Sequence, residues 1–129
     1  MSIPAALILA LTPAPAPSPA TLILFRDTAE PLLFKPMLSI DGVELGRLGE
    51  KRFMAVALPA GPHRVEARWP ALAGHRAASL QLEIEPGSLG YVELTGTAAF
   101  WRTAATTALV ERSPTEGQER LEACCKPAR

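Results

Sequence analysis

A strict alternation of apolar and polar residues is the feature that most constrains the fold of this chain. In "SLQLEIE", residues 79–85, Leu or Ile alternates with Gln or Glu. Successive side chains of a β-strand project to opposite faces, so this segment has one apolar and one polar face. "HRVEARW", residues 63–69, repeats the pattern. Both segments are typical of antiparallel strands that bury one face.

Turn-forming residues separate the apolar runs beyond residue 20. Prolines and glycines fall at 59, 61 and 62, at 70 and 74, and at 86, 87 and 90. Further strands are predicted at 21–26, 53–58, 91–96 and 99–111. Strands at this spacing predict an all-β fold, namely a small antiparallel, immunoglobulin-like β-sandwich of about seven strands. The chain has 129 residues, enough for one such domain.

The segment "LSIDGVEL", residues 38–45, predicts a hairpin. Asp-Gly suits a two-residue type I′ turn, in which both central residues need φ > 0. The predicted register pairs Ile40 with Val43 and Leu38 with Leu45, which places all four apolar side chains on one face. Asp41 is therefore interpreted as a turn residue and not as a reactive carboxylate.

A helix is predicted only near the C-terminal end. Ser113 can cap "PTEGQERLEACC", with Pro114 in the first turn and Glu116 at the position that a capping box requires. Leu121 and the cysteines 124 and 125 share one face of this helix, so we expect them to dock on the sheets as apolar side chains. Adjacent cysteines rarely bridge each other, so no disulfide between them is predicted.

Residues 1–20 differ in composition from the rest of the chain. An apolar run at 5–11 precedes a Pro/Ala repeat. The run is far shorter than the ~20 residues that cross a bilayer, so no transmembrane segment is predicted. Small residues at Ser18 and Ala20 are typical of a signal peptide cleaved before Thr21, although no Lys or Arg precedes the run. We predict export to the periplasm or cell envelope and a single domain over 21–129. A disordered arm on a cytoplasmic protein is the alternative.

The charge balance argues against nucleic-acid binding. The chain has 13 Lys and Arg residues against 13 Asp and Glu residues. A balanced charge gives no long-range field that would attract a polyanion. No nucleic-acid partner is therefore predicted.

The histidines are the first candidates for catalysis or metal binding. His63 and Glu66 are three residues apart, which on a strand places them on opposite faces. His75 lies in a predicted loop without a nearby acidic residue. No G-x-S-x-G elbow, C-x-x-C pair or G-x-G-x-x-G loop is present. We predict no enzymatic activity, metal or cofactor. The alternative is a small metal-binding protein or enzyme that uses both histidines and the two cysteines.

Two aromatic residues are candidates for a binding surface. The alternation that buries Val92 and Leu94 points Tyr91 outward, and Trp101 can also face outward from its strand. With His63 they form a possible binding surface, either for protein docking or for stacking against a sugar. Another element, such as the C-terminal helix, can equally cover them.

The run "SIDGVELGRL…FMAVALPAGPHRVEARW…LQLEIEPGSLGYVEL" resembles a bacterial domain of unknown function, DUF 2846. The matching positions are Phe25, Arg26, Asp41, Gly42, Pro59, Gly61, His63, Gly87 and Tyr91. PEGA-type surface domains are similar over the central hairpins. The resemblance implies a small, PEGA-like β-sandwich that is exported or envelope-associated and has no established enzymatic activity. The strand pattern, the segment at 1–20 and the lack of a convergent site predict a non-catalytic interaction or accessory module of the cell envelope. Its partner would be an unidentified protein or envelope component. Asp27 replaces a proline of that pattern, and a lipoprotein cysteine is missing.

Overall fold

The computed structural model describes residues 19–97 and 106–128, which form two β-sheets and one α-helix. The strands are β1 (Ala20–Arg26), β2 (Met37–Ile40), β3 (Val43–Arg47), β4 (Arg52–Leu58), β5 (Gly61–Arg68), β6 (Ala78–Ile84), β7 (Leu89–Thr97), β8 (Thr106–Arg112) and β9 (Lys126–Pro127). The helix α1 is Pro114–Cys124, and a 3-10 turn spans Ala71–Ala73. The prediction of a mostly β chain with a short C-terminal helix is confirmed. The described part contains nine strands, compared with the predicted seven or so.

The two sheets differ in strand direction. Sheet A has the order β8-β7-β1-β4-β9, and sheet B has the order β3-β2-β5-β6. Within sheet A, β1 runs antiparallel to β4 but parallel to β7, and β9 runs parallel to β4. A purely antiparallel arrangement is therefore wrong for sheet A. Sheet B is built from two hairpins, β2–β3 and β5–β6, which precede and follow β4 in the chain. After β6 the chain returns to sheet A as β7, in the direction of β1, and the alternation within a strand does not predict this direction.

The apolar faces of both sheets contribute to one buried cluster. Leu22 and Leu24 of β1 belong to it together with Val65 of β5 and Ile84 of β6. The inward positions predicted for Val65, Ala67, Trp69, Leu82 and Ile84 are confirmed, since all five residues are buried. Each large apolar side chain removed from water contributes roughly 1.5–3 kcal/mol, so this cluster is the main source of stability.

A second cluster lies on the other face of sheet A, under α1. Ile23, Phe25 and Tyr91 are buried there against Leu121 and the two cysteines. The predicted cap is confirmed, because the Ser113 hydroxyl accepts a hydrogen bond of 3.2 Å from the Glu116 N–H. Ion pairs help to hold the helix on the sheet. Oε1 of the buried Glu93 accepts hydrogen bonds from Arg112 Nε at 3.0 Å and from Arg120 Nη1 at 3.3 Å.

The β2–β3 hairpin forms with the predicted turn and part of the predicted register. Ile40 pairs with Val43, but an irregularity between Leu38 and Ser39 makes Leu38 face Gly46, so the predicted pair of Leu38 with Leu45 is wrong. Gly46 has a φ of 143°, which its lack of a Cβ permits. Val43 is exposed, contrary to expectation, because it lies at the turn end of the edge strand of sheet B.

Candidate functional site

The turn residue Asp41 also anchors a polar contact between two hairpins. Asp41 and Gly42 have φ values of 51° and 83°, as the predicted type I′ turn requires. The Asp41 carboxylate accepts a hydrogen bond of 2.8 Å from the Arg64 N–H through Oδ1, while Oδ2 lies 2.6 Å from His63 Nδ1. Asp41 is therefore a turn residue, as predicted, whose side chain also binds β5.

Both ring nitrogens of His63 face hydrogen-bond acceptors. Nδ1 faces Asp41, and Nε2 lies 2.6 Å from the carbonyl oxygen of Pro59. A neutral imidazole has a single N–H, whereas the imidazolium ion donates from both nitrogens. Only the charged ring satisfies both acceptors. We call Asp41, His63 and the Pro59 carbonyl the histidine clamp, since they tie the β2–β3 turn to the β4–β5 turn.

The hydrogen bonds of the histidine clamp shift the pKa values of both side chains. The pKa of His63 is raised above its ordinary 6.5, mainly by the hydrogen bond to Asp41 and then by that to the Pro59 carbonyl. The pKa of Asp41 is lowered below its ordinary 3.8 by the contact with His63 and by the Arg64 N–H. The His63 side chain is 9% exposed and that of Asp41 is 48% exposed, so the ion pair is reached by water from one side.

The histidine clamp lies beside a shallow depression with a volume of about 310 Å³. Its lining residues are Asp41, Pro62, His63, Arg64, Gln81, Leu82 and Glu83. Neither nitrogen of His63 keeps an available lone pair when both donate hydrogen bonds, so the ring in this geometry offers neither a general base nor a metal ligand. The arrangement supports a stabilising role for His63.

We expect His63→Gln to destabilise the protein in a pH-dependent way. The folded state binds the His63 proton more tightly than the unfolded chain, so this stabilisation is complete below pH 6.5 and is lost as the pH rises through the raised pKa. The contribution of Asp41 is present above pH 3.8 and is lost as the pH falls through its lowered pKa. The difference in free energy of unfolding between wild type and His63→Gln should therefore be largest between these two values.

Urea unfolding of both proteins from about pH 5 to about pH 9 measures this difference. Asp41→Asn is the matched variant, because Asn tolerates positive φ and keeps the turn while removing the charge. In the Asp41→Asn background, the pH dependence of the His63 contribution should become weaker. A difference that is constant across the pH range would contradict the histidine clamp.

The structure does not place Tyr91 beside His63, since Tyr91 lies in sheet A and His63 in sheet B. Tyr91 is buried under α1, where it lies against Gly117, so the alternative in which the C-terminal helix covers it holds in place of its exposure on a binding surface. The alternation correctly directed Tyr91 away from Val92, but α1 covers that face of sheet A. Trp101 lies outside the described residues, and its predicted role stays a prediction.

His75 belongs to a different cluster from His63. Its Nδ1 lies 2.9 Å from Thr107 Oγ1, which also accepts a hydrogen bond of 3.0 Å from the Trp69 indole N–H. The rings of His75 and Trp69 are 5.3 Å apart between centroids. Within residues 19–97 and 106–128, no three His, Cys, Asp or Glu side chains are grouped as a metal site would require.

The two cysteines differ from the prediction. Cys124 and Cys125 form a disulfide between adjacent residues, with their Cα atoms 3.7 Å apart. The expectation that they stay unbridged is therefore wrong, because the chain turns at the end of α1 and brings the two sulfur atoms together. Their predicted docking on the sheet is confirmed, since both pack against the cluster that contains Phe25.

Arg26 is the structural residue that sequence reasoning missed. Its side chain is fully buried at the end of β1, and its five N–H groups all donate to backbone carbonyls. Nε and Nη2 bind Ala29 O at 3.1 and 2.9 Å, Nη2 binds Pro31 O at 2.8 Å, and Nη1 binds Phe34 O and Leu48 O at 2.8 Å each. We call these four oxygens the carbonyl cage. The guanidinium also lies 5.1 Å from the centre of the Trp69 ring.

A signal for the carbonyl cage was present in the sequence. Arg26 ends the run "TLILFR", in which apolar residues are continuous and do not alternate with polar ones. Both faces of such a strand are apolar, so the charge of Arg26 has no exposed face to occupy. A buried charge requires several partners. The segment that follows, residues 27–36, supplies the carboxylates of Asp27 and Glu30 as well as its backbone carbonyl groups as possible acceptors, and only the structure shows that the carbonyl groups are used.

No protein-family model matches the chain, and no curated protein matches it either. Among the described residues, no helix is long and apolar enough to cross a membrane.

Proposed function

We propose that this chain is a non-catalytic β-sandwich that acts as an interaction or accessory module of the bacterial cell envelope, of the DUF 2846 type and with a PEGA-like or immunoglobulin-like arrangement. Two sheets whose apolar faces share one core support the sandwich. The apolar run at 5–11 and the small residues before Thr21 support export.

The observation that carries the proposal is that both ring nitrogens of His63 are engaged within the protein, one by Asp41 and the other by Pro59. The histidine that the sequence placed in a possible binding surface thus has both nitrogens engaged within the protein, which supports a stabilising role. This supports a non-catalytic function, because neither nitrogen of an imidazole that donates from both is available as a general base.

Fractionation of bacterial cells that express the chain with a C-terminal tag tests the location. We expect the protein in the periplasmic or envelope fraction, with Thr21 as its first residue by N-terminal sequencing. Ser18→Arg is the matched control, because it places a large charged residue at a position that signal peptidase reads and leaves β1 unchanged. That variant should keep its N-terminal segment. Recovery of the wild type in the cytoplasm with Met1 retained would contradict export.

A further inference from the structure

The segment between β1 and β2 presents two leucines at the tip of a turn. The Phe34 N–H donates a hydrogen bond of 3.3 Å to Pro31 O, which closes a turn with Leu32 and Leu33 at its centre. Leu32 is 43% exposed and Leu33 is 95% exposed. Single exposed leucines are common on protein surfaces, whereas two adjacent ones at the tip of a turn form a compact apolar projection. We call Pro31, Leu32, Leu33 and Phe34 the leucine turn.

Arg26 holds the leucine turn from inside the protein. Its Nη2 binds Pro31 O and its Nη1 binds Phe34 O, both at 2.8 Å, so one guanidinium fixes both ends of the turn. Pro36, two residues beyond the turn, is fully buried and accepts a hydrogen bond of 3.0 Å from the Leu48 N–H. The exposure of the leucines is therefore a property of a fixed backbone, and docking would require little ordering of this segment.

Basic side chains surround one side of the leucine turn. Leu32, Lys35, Arg47, Gly49, Glu50, Arg52 and Ala128 line one depression of about 250 Å³. Glu50, Lys51, Arg52, Cys124 and Lys126 line a second depression of about 390 Å³, and Glu50 and Arg52 are common to both. The two depressions are therefore neighbours. We call Lys35, Arg47, Lys51, Arg52 and Lys126 the basic rim.

The basic rim keeps an excess of positive charge. Asp27 pairs with Lys51 at 3.0 Å, and Glu50 lies between the two depressions. A third acidic residue, Glu30, precedes the leucine turn. Arg47 and Arg52 each donate to a backbone carbonyl, of Lys35 and Pro127 respectively, so neither is neutralised by those bonds. The rim thus has five cationic side chains beside an apolar projection.

We propose that the leucine turn and the basic rim dock on the surface of an anionic lipid bilayer. Leu32 and Leu33 enter the boundary between headgroups and acyl chains, and the cationic side chains contact lipid phosphates. A convex apolar tip fits a fluid surface that closes around it, whereas a protein partner would need a matching pocket. This proposal rests on the proposed envelope function, which would place the protein beside such a membrane, and it names the surface that is bound.

Sedimentation with vesicles tests the docking. We expect wild-type protein to bind vesicles of one part phosphatidylglycerol to three parts phosphatidylethanolamine, and to bind phosphatidylcholine vesicles at least about tenfold more weakly. Binding to the anionic vesicles should weaken as salt rises from roughly 0.05 to 0.5 M. The double variant Leu32→Ser/Leu33→Ser should bind the anionic vesicles at least about tenfold more weakly than wild type.

Leu72→Ser is the matched control. Leu72 is 90% exposed, like Leu33, but it lies on the 3-10 turn Ala71–Ala73 and lines neither depression. Its replacement should leave vesicle binding unchanged. All variants are prepared with the same N-terminal residue, so a difference between variants reports on the leucine turn. Melting temperatures within about 2 °C of wild type would show that each variant is folded.

Equal binding of wild type and the double leucine variant would overturn the proposal. The absence of vesicle binding by folded wild-type protein would overturn it as well. If the protein bound an acidic protein through the leucines and did not bind vesicles, the surface would be a docking site for a protein partner. Neither result would alter the location found by fractionation. Conversely, a cytoplasmic location would overturn the envelope function while leaving a measured affinity for anionic lipid intact.

Discussion

Arg26→Lys is expected to lower the free energy of unfolding by about 2–4 kcal/mol, and Arg26→Met by more. The guanidinium uses five donors for the four oxygens of the carbonyl cage, whereas a lysine has three donors on one nitrogen. A buried acceptor left without a donor costs about 1–3 kcal/mol. Such a loss is a large share of the roughly 5–15 kcal/mol that stabilises a typical domain.

Urea unfolding at neutral pH measures the effect of Arg26→Lys, with Arg47→Lys as the matched control. Arg47 is exposed and donates a single hydrogen bond of 3.1 Å to a carbonyl, that of Lys35. Its replacement should change stability by no more than about 0.5 kcal/mol. Replacing both members of a buried ion pair by apolar residues can leave stability unchanged. A substitution at Arg26 removes only one member, because the backbone carbonyls of the carbonyl cage remain. A loss below about 1 kcal/mol in Arg26→Lys would refute the carbonyl cage as a major source of stability.

Gly117→Ala should destabilise the protein by about 1–3 kcal/mol, although alanine favours a helix by about 1 kcal/mol over glycine. A Cβ at this position would lie 2.7 Å from Tyr91 Cδ2 and closer still to two other atoms of Tyr91. The helix would have to move off sheet A or the Tyr91 ring would have to leave its buried position. The glycine that weakens the helix in isolation is thus the residue that lets the helix approach the sheet.

A double-mutant cycle with Tyr91→Ala tests this explanation. In the Tyr91→Ala background the clash is removed, so Gly117→Ala should become neutral or stabilising. Glu119→Ala, at an exposed position of the same helix, should have an effect of at most about 0.5 kcal/mol. If Gly117→Ala were equally destabilising with and without the tyrosine ring, the close contact would not be the cause.

Arg26 links the stability of the fold to the proposed binding surface. The guanidinium that satisfies Pro31 O and Phe34 O fixes the leucine turn in the same step. Leu32 and Leu33 contribute little to the core, because the turn projects them away from it. Leucine variants therefore change the docking surface with little effect on stability, whereas Arg26 variants affect both the fold and the leucine turn.

Local chemistry determined the elements that the sequence predicted correctly. The strand at 79–85 follows from side chains that alternate between two faces, and the turn at Asp41 from a dipeptide that accepts positive φ. The start of α1 follows from the Ser113 hydroxyl, which reaches a helix N–H three residues away. Each of these signals involves residues within a few positions of one another, so the sequence alone contains it.

Contacts between distant residues decided the rest, and only the tertiary structure contains them. The parallel pairing of β1 with β7 joins Ile23 to Tyr91, and the histidine clamp joins residues 22 positions apart. Alternation assigns Tyr91 to a face but does not say that α1 covers that face. In the same way, the carbonyl cage depends on where the segment after β1 folds back, because a buried charge is stabilised by whatever acceptors the surrounding chain supplies.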